Sequence, residues 1–581
     1  MNKMKLFKKI ISSIVLCVAF SVTLHAQTKT ISGEVSDDYG PLPGVSILIK
    51  GTISGTESDF DGNFSVEASI GDILQFRYLG MITQEFTVGN ETTINVTMKP
   101  DAQSLDEVVV IGYGTQRKSD LTGSVSSVSA EALTAVPVSR VDQALQGRAT
   151  GVQVIQTSGA PGAGTVIRVR GGNSISGSNE PLWVIDGIIV GTNYNLNNIN
   201  SNDIKSIEVL KDASSIAIYG SRGANGVVLV TTKSGKNTQG GEPEVSVNFY
   251  TSSQLVPELP KMLSQPELIG FMNEHALFRE APAPYPGGNP SDYPDNDWAD
   301  LIMGSAPIYN ADVSVSGGSE KVSYYNSLNY FKQEGIVKST GIEKFIFRSN
   351  LDIKLSDKVK TGFRINYSRL KRDNGVVAFG NTLKSTLSTF PVYNEDGSYN
   401  GLNLVGDPFG NPVASLALNT NETFTNNLLA TVYLEYSPAP NWIIRSTFSP
   451  EFNNTKQNYF RSSKNPGDLA IGVSNGGQAM VQTSASSGWN NENTVQYTTD
   501  FGEDHNLTAL GGASFQKVET ETAMSQAFGI SSDAAGFNNL GFSDPSRSVV
   551  SSNYNGFQTT SFFGRINYTY KDKYLLTLVG R

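Results

Sequence analysis

The chain has 581 residues, 54 acidic against 44 basic, a net charge of -10 and only 17% charged residues. Without a basic excess it has little to set against a phosphate backbone, which excludes nucleic acid as a partner. One cysteine and three histidines exclude a disulfide framework, thiolate metal centres and the usual histidine-built metal sites, so no cofactor or metal is expected.

In chain order, the first element is a leader. Residues 1–9 carry Lys3, Lys5, Lys8 and Lys9, and the apolar or small run 10–22 ends near Leu24, His25 and Ala26. This is the layout of a secretory signal peptide, with cleavage expected after Ala26. The run is shorter than the ~20 residues of a spanning helix. Cys17 follows the bulky Leu16, where lipoprotein processing requires a small residue, and it leaves with the leader. No later segment reaches ~18 consecutive apolar residues, so a membrane form of the mature chain has to be a β-barrel.

Residues 27–100 read as short strands joined by turn chemistry, with strands over 31–35 and 45–49 separated by a Gly- and Pro-rich turn. Asp59, Asp61, Gly62 and Asn63 hint at a calcium loop, but a third oxygen ligand before the Gly and a distal Glu are missing. A tight hairpin turn is expected there. Next, Asp106 and Glu107 lead into Val108, Val109 and Val110, a β-branched run with two readings. It is an ordinary internal strand, or a tethered strand that adds itself to the open sheet edge of a partner.

Over 140–147 a short helix is expected after Pro137, with Ser139 as N-cap and Gly147 as stop. The chain then returns to strands over 151–154, 166–172 and 181–187, bounded by glycines, and 207–213 leads through 219–226 into a further run over 227–233. Those glycines do not make a phosphate loop: Ile167 stands where Gly162 and Gly164 would require a third Gly, and Gly235-Lys236 lacks the following Ser or Thr. Residues 234–243 read as a linker.

From there on, alternation with period two recurs. Phe345, Phe347, Leu351, Ile353 and Leu355 fall on one face, Arg348, Asn350, Asp352 and Lys354 on the other. A soluble β-sandwich alternates equally well. Aromatics toward strand ends, polar residues opposite them and the leader favour a transmembrane barrel with a polar lumen. Connections are unequal: 256–307 is long and helix-like over 265–274, and another long polar connection opens at Asp373-Asn374-Gly375. Gly472, Ser474 and Gly476 match a nucleophile elbow, but only His505 lies downstream and no helix pattern follows. The carboxylates Glu503-Asp504 and Asp295 with Asp297 read as solvated loop charges rather than an acid/base pair. No enzyme is expected.

These segments resemble known modules. Residues 31–80 resemble the carboxypeptidase-regulatory-like domain, a non-catalytic sandwich of ~seven strands. Residues 105–114 look like a TonB box, and 140–233, with Asp186-Gly187, Lys211-Asp212-Ala213 and Tyr219-Gly220-Ser221-Arg222-Gly223, resemble the plug of TonB-dependent outer-membrane transporters. In combination the chain resembles the SusC/RagA-like family. The resemblance implies an all-β dominated fold: a signal peptide (1–26), a small β-sandwich (27–100), a TonB box and linker (101–115), an α+β plug (116–235) and part of a transmembrane antiparallel barrel (236–581). It further implies outer-membrane location in contact with lipid, and import of an oligosaccharide or peptide driven by the proton-motive force. Partners would be TonB, gripped through Asp106, Glu107, Val108, Val109 and Val110, and a SusD-like surface lipoprotein. Roughly ten or eleven candidate strands stand where such barrels use about 22, so the expectation is the N-terminal part of a longer protein. The alternatives are a passive porin and a secreted or surface β-sandwich adhesin.

Overall fold

Apolar residues on every second position give residues 28–97 two sheets with one buried face each. In a computed structural model of the chain, residues 28–37, 40–50, 52, 54–78, 81–99, 108–110, 114–117, 123–134, 140–192, 194–235, 242–377, 379–380, 387–401, 411–466, 476–502 and 504–581 are described. The leader, Asp106, Glu107, Ser139, Gly472, Ser474 and Glu503 lie outside them. The chain divides into two units, 1–109 with 117–119, and 110–116 with 120–581.

The first unit holds β1 (Thr28–Asp37), β2 (Gly40–Pro41), β3 (Ser46–Ile49), β4 (Gly55–Glu57), β5 (Asn63–Ser69), β6 (Ile73–Arg77), β7 (Gln84–Thr87) and β8 (Val96–Thr97). They form two four-stranded sheets, β2-β1-β5 with β8 parallel to β1, and β4-β3-β6-β7. Between them Ile31, Val35, Ile47, Leu74 and Phe76 are fully buried, and Phe64 meets Phe76 edge to face at 5.2 Å. The expected turn is present: Asp59 Oδ1 accepts from the amides of Asp61 at 3.0 Å and Asn63 at 2.8 Å. Gly62 sits there at φ 74°, and a Cβ on it would lie 2.5 Å from the Val35 carbonyl oxygen. The Asp59 carboxylate thus shapes the turn.

The strands β9 (Val108–Val110) and β10 (Thr115–Arg117) form a two-stranded sheet. A five-stranded sheet follows, built from β11 (Val125–Ser129), β14 (Leu182–Ile185), β15 (Ile188–Gly191), β16 (Ile204–Leu210) and β17 (Val227–Thr232) in the order β11-β16-β17-β14-β15. β12 (Val152–Gln156) and β13 (Thr165–Val169) make a separate hairpin. All four residues of β14 are buried, as are Val227 to Val230 of β17, the continuous apolar run of a strand covered on both faces. Trp183, Leu145, Ile207, Val209, Val228 and Val230 form its core.

The helix expected over 140–147 is instead one 3-10 turn, Gln143–Leu145, capped by Asp142. The reason is non-local. The Asp142 carboxylate takes Arg140 Nε at 2.9 Å and the Thr165 hydroxyl, from a hairpin 23 residues on, so the start of the segment is fixed by its neighbours, while the Gln143 amide is capped by the same carboxylate.

The largest element is an eleven-stranded antiparallel meander in which each strand pairs with its sequence neighbour. It runs through β18 (Glu244–Gln254), β19 (Ala306–Gly318), β20 (Val322–Glu334), β21 (Thr340–Lys354), β22 (Val359–Asn374), β23 (Thr420–Tyr436), β24 (Trp442–Arg461), β25 (Gly477–Phe501), β26 (His505–Ile530), β27 (Val549–Tyr570) and β28 (Tyr574–Gly580). Connections alternate. Tight turns join β19 to β20, β21 to β22, β23 to β24, β25 to β26 and β27 to β28, while the opposite end carries the long segments before β19, β23, β25 and β27. β25 and β26 have 25 and 26 residues, far more than the ~9–11 that cross a bilayer. They must continue well beyond it on the long-loop side. Exposed Tyr436, Trp442, Phe501 and Tyr574 all stand beside tight turns, as an interfacial aromatic girdle does. Among the described residues no helix is long and apolar enough to cross a membrane.

The alternation in β21 is inside out relative to a soluble sheet. Phe345 and Phe347 are 41% and 38% exposed, whereas Arg348 and Asn350 are each 2% exposed. The apolar face looks outward and the polar face is covered by the five-stranded domain, which we call the plug. Since Phe347 stands mid-strand on the outward face, Phe347→Arg is expected to cost about 2–4 kcal/mol of insertion free energy. Refolding the whole protein into lipid vesicles and scoring the heat-resistant band tests this, with Phe347→Leu expected near wild type.

Two long connections are themselves folded where they are described. The helix Gln265–Phe278 matches the expected one and starts at Ser264, whose amide donates to Glu267 Oε2 at 2.9 Å. The segment before β19 then locks onto the segment before β23. Asn296 donates to the Phe390 carbonyl at 2.7 Å, Trp298 Nε1 to the Leu387 carbonyl at 2.9 Å, and Tyr285 and Thr389 share a hydroxyl bond of 2.6 Å.

Candidate functional site: the plug against the wall

A polar face turned inward needs partners, because buried polar atoms left unpaired are costly. The plug supplies them from three places. At the first, where the β14–β15 turn meets the end of β17, Asp186 forms an ion pair with Arg348, and Arg348 Nη2 also donates to Thr232 Oγ1 at 2.6 Å. Thr232 in turn donates its amide to Asp186 Oδ1 at 2.9 Å. Asn350 Nδ2 donates to the Lys233 carbonyl at 2.7 Å.

The second place is the Asn-rich stretch 195–202. Two 3-10 turns here, Leu196–Asn198 and Ser201–Asp203, are capped by the side chains of Asn195 and Asn200, and the backbone they fix points donors and acceptors at the wall. Asn366 Nδ2 donates to the Asn198 carbonyl at 3.0 Å, Ser368 Oγ to Asn198 Oδ1 at 3.1 Å, and Asn200 Nδ2 to Asp312 Oδ2 at 2.6 Å. Tyr325 OH donates to Asp203 Oδ1 at 2.9 Å, and burial pushes that carboxyl above the ordinary carboxylate range. The third place is the stretch 217–223. Arg222 donates to Gln516 Oε1 at 2.6 Å, and Arg581 Nη1 donates to the Ile218 carbonyl at 3.0 Å.

The seam at Asp186 and Arg348 holds a cavity of about 10 Å³, lined also by Tyr194, Arg364, Asn366 and Thr431. That is room for roughly one water, so the plug closes against these strands.

The segment that follows β10 enters the plug at Gly123. An ideal Cβ on Gly123 would lie 2.0 Å from Ser215 Oγ, so the backbone approaches the helix Ala213–Ile216 closely. Ser124 donates its amide to Asp212, and Arg170 pairs with the same carboxylate. These two bonds hold the Asp212 carboxyl below its ordinary range. Beside it Lys211 Nζ donates to Ser126 Oγ and to the Thr150 carbonyl and hydroxyl. Burial holds its ammonium below the usual lysine range.

Of the residues read as a partner-gripping strand, Val108, Val109 and Val110 lie in β9, while Asp106 and Glu107 lie outside the described residues. Gly114 lies near the wall, its ideal Cβ 3.4 Å from Gln496 Oε1 and 3.5 Å from Arg565 Nη2. The polar contacts of Asp186, Asn198, Asn200 and Asp203 were missed by sequence reasoning. The run Asn195, Asn197, Asn198, Asn200, Asn202 was a usable signal, since Asn caps short turns.

The enzyme-like patterns have structural explanations where they are described. Asp297 Oδ1 caps the helix Trp298–Ile302 through the amides of Ala299 at 2.9 Å and Asp300 at 3.2 Å. His505 Nδ1 shares a 2.6 Å bond with Tyr568 OH beside a tight turn. Among the described residues no group of three or more His, Cys, Asp or Glu is placed to hold a metal ion.

Comparison with known proteins agrees with this architecture. Residues 117–227 match the TonB-dependent Receptor Plug Domain, and residues 31–110 match the CarboxypepD_reg-like domain. TonB-dependent receptor P26 of Formosa agariphila is 66% identical over 560 residues, covering 96% of this chain and 56% of that protein. TonB-dependent receptor SusC of Bacteroides thetaiotaomicron is 35% identical over 467 residues, covering 75% of this chain and 45% of its own length. The chain thus spans about half the length of the curated relatives it matches. The RagAB peptide importer in its 'open-open' state shares the fold with TM-score 0.70 at 24% identity, over 81% of this chain and 56% of that one.

Proposed function

We propose, since this chain belongs to the SusC/RagA-like TonB-dependent receptors of the outer membrane, that the protein imports a nutrient too large for passive pores, an oligosaccharide or a peptide. The observation that carries this reading is the plug tied into the wall by buried polar bonds from three of its segments. A passive porin needs no such stopper, and a secreted adhesin needs no sheet with its apolar face outward.

In this reading Asp106, Glu107, Val108, Val109 and Val110 are the TonB box. Val108 to Val110 supply a backbone ladder for strand addition, and the acidic pair sets register or charge. The proton-motive force reaches the plug through this segment, which leads by way of β10 to the plug entry at Gly123. The assignments of residues 1–26 as leader, 27–100 as sandwich, 101–115 as TonB box and linker, 116–235 as plug and 236–581 as barrel belong to the same proposal. A SusD-like surface lipoprotein would lid the long-loop end. There the interlocked segments before β19 and β23 offer a folded platform rather than loose loops.

Deleting residues 105–114 is expected to abolish energised uptake while leaving the amount of protein at the cell surface unchanged. Uptake of labelled cargo, with surface level followed by antibody, measures both. Uptake that survives the deletion would mean a passive channel.

A further inference from the structure

Resting on that reading, we propose that Lys211 and Asp212 form a clasp that sets how readily β11 leaves the plug under traction, so that β11 is the moving strand and the rest of the plug stays on the wall. The argument starts from where each part is held. Wall contacts fall on 186–203, 218–222 and 232–233, that is, on residues flanking β14 to β17. The described hydrogen bonds of β11 go elsewhere. It lies at the edge of the plug sheet and pairs with β16 alone, from Val125 opposite Leu210 to Ser129 opposite Ser206.

Traction arriving through Gly123 therefore acts on the Val125 end of an antiparallel ladder of five residue pairs. A ladder loaded from one end opens one pair at a time, and the bonds at that end break first. Those bonds are the clasp. Asp212 holds the Ser124 amide, and Lys211 holds Ser126 and bridges it to Thr150. Both residues directly follow Leu210, the β16 partner of Val125, so they stand at the loaded end of the ladder. Charge-assisted bonds are about twice as strong as neutral ones, so an ammonium and a carboxylate at this point raise the threshold for the whole strand. Lys211 and Asp212 act by positioning β11; neither is expected to touch cargo.

Cys17 is the only cysteine of this sequence and lies in the expected leader; any cysteine in the remainder of the whole protein is replaced by serine, so that each introduced thiol is the reporter. Val128 is buried and pairs with Ile207 in β16; Val228 is buried in β17. The whole protein in its own outer membrane is made as V128C or V228C and treated with a charged maleimide. V128C is expected to react only when TonB is present and the membrane is energised. Adding Lys211→Met or Asp212→Asn should speed that reaction about tenfold, while V228C stays protected throughout, which also reports that the clasp variants remain folded.

Equal V128C reactivity with and without energisation, or clasp variants that react no faster than the parent, would overturn the proposal. A separate variant, V109C, is tested for crosslinking to TonB. Crosslinking with unchanged V128C reactivity removes the clasp alone; absence of crosslinking removes the importer reading on which it rests.

Discussion

Arg348→Met is expected to loosen the plug by about 3–5 kcal/mol, because removing one member of a buried ion pair leaves the other buried without its counter-charge. The guanidinium is 3% exposed and the Asp186 carboxylate 11%, so water replaces little of what is lost. Asp186 would keep the Thr232 amide and hydroxyl, and these neutral donors are the weaker part of its shell. At ~1.4 kcal/mol per tenfold, the population of undocked plug rises by about two to three and a half orders of magnitude. The measurement is entry of a large hydrophilic antibiotic that intact outer membranes exclude. Adding Asp186→Asn should restore much of the exclusion, since the stranded charge is then gone, and the four-member cycle gives the coupling energy directly. Unchanged exclusion in Arg348→Met would show that the Asn198, Asn200 and Asp203 contacts suffice by themselves.

The second large effect is expected inside the plug. Trp183 is 2% exposed in a strand whose four residues are all buried, and its ring packs among Ile207, Val209, Val228 and Val230. Trp183→Ala removes that surface and leaves a void, at a cost of about 3–5 kcal/mol. Protease digestion of whole membranes should then cut within the plug, where the parent protein resists, while the β-sheet of the wall remains uncut. Trp183→Phe is expected to recover most of the resistance because it refills most of the space.

The two experiments separate what holds the plug to the wall from what holds the plug together, and the sequence speaks to these unequally. The eleven strands of the wall match the roughly ten or eleven read from alternation, because a period of two is a local property of the chain. The helix Gln265–Phe278 was legible for the same reason: Ser264, Pro266 and Glu267 are a start signal within four residues. The one-turn segment at Gln143–Leu145 was not, since Asp142 finds its partner in Thr165 on another hairpin.

The polar bonds between plug and wall lie furthest from what sequence reveals. Alternation separates Arg348 and Asn350 from Phe345 and Phe347, but it cannot say which face meets lipid. The partner of Arg348 is 162 residues earlier in the chain, at the end of an apolar run whose Asp186-Gly187 supports the plug resemblance but names no partner. Asp203 and Tyr325 are likewise 122 residues apart. The reading of Val108 to Val110 as a gripping strand rests on resemblance, since a short β-branched strand looks alike wherever it pairs.

The bonds that join Tyr285, Asn296 and Trp298 to residues 387–390 have a consequence for how this surface changes over generations. Three of the four bonds across that junction end on backbone carbonyls, of Leu387, Phe390 and, from the Asn296 amide, Ser388, and the fourth joins the Tyr285 and Thr389 hydroxyls, so neither segment keeps its shape if the other is lengthened or replaced. They form one unit of inheritance, although more than 80 residues of chain separate their partners. A change of shape at this rim is therefore expected to need paired exchange of both segments, with the strands between them, β19 to β22, carried along as a cassette.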